Sequence, residues 1–153
     1  MDVTYLNPIL DATSNVFKTM MQLETERGNI ELRNEIITDN EANVIIGLTG
    51  DIKGSIVYSF SKKISLNIVN QMAGMEMDEI DKFVTSAIGE MANIISGKAA
   101  TGLAEEDYNC NIAPPQTVVG QDTKISTGTE NIITVKIETE MGDFQVNFSM
   151  VEN

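Results

Sequence analysis

Glu90 and Asn93 are the pair in this chain best suited to act on another molecule. They sit in the run Ser86-Ala-Ile-Gly89-Glu90-Met-Ala-Asn93-Ile-Ile-Ser-Gly97. A carboxylate pairs with cations, and a carboxamide both donates to and accepts from water. Three apart on a helix, the two side chains are neighbours on one face. Ser86, Gly89 and Gly97 surround them, and none projects far. Each glycine costs about 1 kcal/mol of helix propensity against alanine. Such small neighbours let another macromolecule's surface come close, with Glu90 and Asn93 projecting into it. A merely solvated face is the competing explanation, and spacing alone favours it.

Other chemistries are poorly supplied. The 153 residues include no His, which removes His acid/base catalysis and zinc sites of the usual kind. One cysteine, Cys110, excludes an internal disulfide and reads as a buried structural thiol. Gly47-Leu-Thr-Gly50-Asp-Ile-Lys-Gly54 lacks the Gly-Lys-Ser/Thr ending of a phosphate loop and lies between two strands, so it reads as a hairpin turn. The nine Met residues fall mostly on apolar helical positions and read as core.

Ten basic against 23 acidic residues leave a net charge of −13, which argues against nucleic acid or an anionic membrane as partner. The opening MDVTYLNPIL does not read as a signal peptide, and no window approaches the roughly 18 apolar residues of a transmembrane helix. The expectation is one cytoplasmic domain over residues 1–153.

The elements that must position the pair follow from periodicity. Residues 7–24 read as an amphipathic helix opened by Asn7-Pro8, with Gly28 just beyond its end. Strands are expected at 29–37, 42–49 and 55–60, and a short helix at 62–73 ended by Gly74. The longest helix is expected at 78–104, capped by Asp78. Ile80, Val84, Ala87, Ile88, Met91, Ile94 and Ile95 face inward on it, with Glu79, Lys82, Ser86, Glu90, Asn93 and Gly97 opposite. Strands at 108–119, 131–138 and 143–151 follow, the last two joined at Met141-Gly142-Asp143.

An internal repeat runs through these elements. Asn43-Val44-Ile45 with Gly54…Phe60-Ser61 matches Asn131-Ile132-Ile133 with Gly142…Phe148-Ser149 at one offset, and each hairpin follows a strand and a long helix. The expected fold is α+β: two pseudo-repeats of helix–strand–hairpin, with long helices packed on a largely antiparallel six-stranded sheet.

Ser86, Glu90 and Asn93, followed at a distance by Pro114-Pro115, resemble the signature of the CheC/CheX/FliY phosphatases of bacterial chemotaxis. The resemblance extends to the opening helix, Asn7-Pro8 with Val16-Phe17-Lys-Thr-Met20, and to the hairpin Leu48-Thr-Gly50-Asp51-Ile-Lys-Gly54-Ser55. It implies a phosphatase that hydrolyses the aspartyl-phosphate of a CheY-type response regulator. Asn93 would orient the attacking water and Glu90 would pair with the receiver's lysine. Asn has no useful basicity, so it can only position the water. Any Mg²⁺ is expected from the receiver, with no cofactor of the chain's own. The chain is more similar to the CheX branch than to the CheC branch. On the first helix Asn15 has Ala12 where a matching Glu would stand, leaving one site per chain. The CheX branch further implies a homodimer.

Two rival functions accompany this one. The same helix would serve a non-catalytic module that binds a receiver or a flagellar-switch component. A carboxylate-dependent hydrolase of a small metabolite would need a deep pocket with convergent acids beside Glu90.

Overall fold

A computed structural model describes residues 3–38, 41–120, 123–126 and 131–153. A 3-10 turn at Val3–Tyr5 leads into helix α1 (Leu6–Met21); α2 spans Lys62–Ala73 and α3 spans Lys82–Glu105. The three helices cover one face of a seven-stranded sheet. Its order is β1 (Glu26–Arg33), β8 (Ile132–Thr139), β9 (Gly142–Glu152), β4 (Ile52–Phe60) and β3 (Ala42–Gly50). Two short strands, β5 (Cys110–Ile112) and β6 (Gln116–Val119), share the far edge of β3. All these pairings are antiparallel. A separate ribbon joins β2 (Ile36–Thr38) to β7 (Thr123–Ile125).

The α+β class and the order of the repeat hold, and the exchange between the repeats is new. The first strand after α1 pairs with β8 of the second repeat, while the strands after α3 pair with β3 of the first. The two halves meet where β4 pairs with β9, in register Val57 to Asn147. Gly54 lies in this contact at φ 140°, and a Cβ there would run into the Ser149 carbonyl oxygen. Only glycine combines that backbone with that approach.

Several expected boundaries move. The stretch 108–119 is not one strand, because Pro114-Pro115 interrupts it, so the sheet has seven strands where six were expected. Proline offers no N–H to a ladder. The stretch 29–37 divides likewise, its end joining the ribbon as β2. Gln22 closes α1 in the left-handed conformation, φ 51°, and Gly28 lies inside β1. The cap of α3 is Asp81, not Asp78: its Oδ1 accepts from Phe83 N at 3.0 Å and Val84 N at 3.1 Å. Asp81 therefore fixes the helix start three residues later.

The letter-by-letter repeat also fails in one strand. Ile56, Tyr58 and Phe60 match Phe144, Val146 and Phe148, and all six face the helices. Val44, however, faces the helices, whereas its match Ile132 faces the opposite side with Val57, Ile36 and Ile125. The hairpins explain the difference. Five residues separate the paired Leu48 and Gly54, but two separate the paired Thr139 and Gly142. That odd difference turns the first strand over, because side chains alternate with period two.

Aromatic packing joins α1 to the sheet. Phe17 stacks on Phe144 with centroids 4.9 Å apart, and Phe144 meets Phe60 at 5.2 Å. Beside them the buried Tyr58 hydroxyl lies 3.1 Å from Thr13 Oγ1, which itself donates to the Ile9 carbonyl. On the opposite face, Thr134 Oγ1 donates to Asn147 Oδ1 at 2.7 Å, and Asn147 Nδ2 reaches the Val57 carbonyl and Ser59 Oγ. This buried polar row tightens the central strands, since each partner would be costly to leave unpaired.

Burial pushes the Tyr58 hydroxyl well above its usual range, outweighing the opposite pull of its hydrogen bond to Thr13. The unfolded chain ionises this group above about pH 10 while the folded chain holds it neutral, so stability present below that pH is lost above it. Urea unfolding at a series of pH values should show Tyr58→Phe costing about 1 kcal/mol at neutral pH. It should also fall less steeply than the wild type above about pH 10. Parallel curves would exclude Tyr58 as the source of the alkaline loss.

Candidate functional site

Helix α3 is anchored along one side and open along the other. Val84, Ile88, Met91, Ala92 and Ile95 are fully buried, with Ala99 and Leu103 continuing the same packing. Ile94 and Ala87 are half-buried flanks, and Ile80 packs from the loop before the helix. Ser86, Glu90, Asn93 and Gly97 are all exposed. Glu90 and Asn93 thus stand on adjacent turns of a helix whose rotation is set by five buried side chains.

Gly89, expected as a small neighbour of the pair that lets a partner's surface approach, is not exposed as Ser86 and Gly97 are. It is buried, and a Cβ there would lie 3.7 Å from Thr117 Oγ1 and 4.0 Å from Pro115 Cγ. The stretch from Pro115 into β6 crosses the helix at this point and walls an open groove of about 360 Å³. Thr85, Ser86, Gly89, Glu90, Pro115 and Thr117 line it. The distant proline of the signature is thereby explained: Pro115 breaks the strand and forms the wall beside Glu90. Among the described residues Glu90 is the sole acid lining the groove, and the convergent acids of a small-metabolite hydrolase are not among them. Among the described residues no group of three or more Cys, Asp or Glu could hold a metal ion.

The counterpart of this face on α1 is differently furnished. Ala12 is buried, and Asn15 Oδ1 accepts a hydrogen bond from Lys98 Nζ of α3 at 3.0 Å. Arg27 binds both Asn7 Oδ1 and Asp11 Oδ1. Lys98 therefore occupies the carboxamide that would correspond to Asn93. A contact between helices of this kind has no signature in the sequence. Cys110 is half-buried in β5, opposite Gly50.

Residues 42–138 match the family model described as chemotaxis phosphatase CheX. The chain belongs to the CheX family. The CheY-P phosphatase CheX of Thermotoga maritima is 33% identical over 128 residues, 83% of each chain. A CheC-like superfamily protein from Shewanella shares the fold with TM-score 0.88 and 29% identity, over 99% of each chain. CheX in the CheX–CheY–BeF3–Mg²⁺ complex from Borrelia burgdorferi has TM-score 0.82 and 27% identity, over 99% of this chain and 100% of that one. These structural likenesses include α1, which precedes the segment matched by the CheX family model.

Sequence periodicity passed over Thr85, Thr117 and Phe83. The first two become visible only when β6 folds back over α3. Phe83 is exposed, seven residues before Glu90 on the same stripe. That heptad spacing was the available signal.

No atom lies within 4 Å of a Cβ at Gly97, and the contacts at Gly89 are ordinary van der Waals distances. Gly97→Ala and Gly89→Ala should each raise stability by up to about 1 kcal/mol in urea unfolding, the cost of glycine in a helix. A loss at either position would mean that the glycine backbone itself is required.

Proposed function

We propose that the chain is a phosphatase of the aspartyl-phosphate of a CheY-type response regulator. The observation that carries this reading is the paired exposure of Glu90 and Asn93 on a rigidly packed helix in a member of the CheX family. An acyl phosphate is already activated, and the receiver brings Mg²⁺ and a lysine that balance the charge on the phosphoryl group. The remaining requirement is a water in line with phosphorus. The Asn93 carboxamide orients that water without deprotonating it. Glu90 pairs with the receiver's lysine and fixes the register of docking. Ser86 and Gly97 keep the approach low, and Gly89 does the same beneath the Pro115 wall. The CheX–CheY–BeF3–Mg²⁺ complex of the Borrelia relative supports a CheY-like partner, and the name of the Thermotoga relative supports turnover.

An open face suits this substrate, because a folded receiver carries its own phosphoryl-binding groups. The chain needs no cofactor of its own for this chemistry. Residues 1–153 act as one domain in this reading, in the cytoplasm where receivers work. No helix among the described residues is long and apolar enough to cross a membrane.

The test follows decay of a CheY-type receiver, phosphorylated by a small donor in Mg²⁺ and then freed of donor. Substoichiometric protein should accelerate the decay. Asn93→Ala should lose at least about a hundredfold of that acceleration while still forming the complex. Glu90→Ala should also weaken binding, by about tenfold. Binding without Asn93-dependent hydrolysis would replace the phosphatase with a receiver-binding module.

The chain also acts as a homodimer in this reading. Support comes from β1, which ends the sheet and exposes Ile30 and Leu32, the latter 83% open, beyond the cover of the helices. An open apolar edge is normally covered or charged. Leu32→Asp should shift the molar mass measured by light scattering from dimer to monomer. A dimer unchanged by that substitution would place the contact elsewhere.

A further inference from the structure

Phe83 stands in the first turn of α3 with 63% of its surface exposed, the most open aromatic side chain that the structure describes. Its position is set by its own backbone, whose N–H donates to the Asp81 cap at 3.0 Å. The next residue, Val84, is fully buried, so the rotation of the helix leaves Phe83 outward. At about 100° per residue, Phe83, Ser86, Glu90, Asn93 and Gly97 fall within about 80° of arc. Along the axis Phe83 lies about 10 Å from Glu90 and about 15 Å from Asn93, at a rise of about 1.5 Å per residue.

An exposed Phe contributes little to folding, and a polar residue would serve a solvated first turn better. The rest of the stripe is small or polar. Its hydrogen bonds to a partner replace hydrogen bonds to water, with modest net gain. Affinity at protein interfaces comes chiefly from a few aromatic anchors buried on association. We infer that Phe83 is the apolar anchor by which this face holds its phosphorylated receiver, fixing the end of α3 away from Asn93. The inference rests on the function proposed above and continues the same face by two helical turns. The occupant is a receiver domain that presents an apolar patch about 10–15 Å from its phosphoryl group, matching the rise along α3. Phe83 acts through docking and touches no reacting atom.

Phe83→Ala and Phe83→Leu would be compared with the wild type by phosphatase kinetics and by binding to the receiver activated with beryllofluoride and Mg²⁺. Phe83→Ala should raise KM and the dissociation constant at least tenfold, with kcat within about twofold. Phe83→Leu should recover most of the affinity, and thermal unfolding of both variants should match the wild type. Unchanged KM and affinity in Phe83→Ala would overturn the inference and leave the phosphatase intact. So would a change of oligomeric state in that variant, which would assign Phe83 to a contact with a second copy. A wild-type protein that binds without hydrolysis would sink the catalytic role of Asn93. The binding arm would still decide Phe83. Absence of any binding would overturn both.

Discussion

The antiparallel pairing of β4 with β9 is the contact on which the other arrangements depend. It joins the hairpins of the two repeats into one sheet, with Val57 opposite Asn147 near its middle. Once these strands are joined, β8 and β3 are left with open edges on either side. Each edge takes the strand that follows the other repeat's long helix. The exchange interlocks the halves, so neither repeat can complete its own sheet. It also sets α1 and α3 beside each other over the same inner face. At their crossing Gly102 stands where a Cβ would approach Pro8 Cβ to 3.1 Å.

That framework determines the candidate site. Helix α3 joins the core over the sheet through Ile88, Met91, Ala92 and Ile95, and the opposite side is open. β6 then crosses at Gly89, and Pro115 raises a wall beside Glu90. A rigid helix holds side chains more precisely than a loop, which matters where a water must be aligned. The open character of the face and the proposed substrate are matched. A folded partner that already binds its own metal ion needs a complementary surface and two well-placed groups.

The two repeats have diverged unequally around this framework. On α3 the outer stripe keeps Glu90 and Asn93 exposed, whereas on α1 Ala12 is buried and Asn15 is bound by Lys98. The interaction that closes the α1 counterpart thus comes from the helix that carries the candidate site. Lys98 on Asn15 and Arg27 on Asp11 thus both engage the α1 surface from other elements.

What the sequence determined by itself was periodic or local. Apolar spacing along α1, α2 and α3 identified the helices, and Gly74 marked the end of α2 because a left-handed cap favours glycine. The stripe with Glu90 and Asn93 was legible for the same reason, since three-residue spacing fixes a shared helix face. The family resemblance added the roles expected of those residues. What only the tertiary structure decided depended on partners distant along the chain. The faces of β8, the exchange of first strands, the burial of Gly89 under Pro115 and Thr117, and the bond from Lys98 to Asn15 are of this kind. None is encoded in a local period. Each arises because joining β4 to β9 brings residues of the two repeats to positions where sterics and unpaired polar groups allow one arrangement.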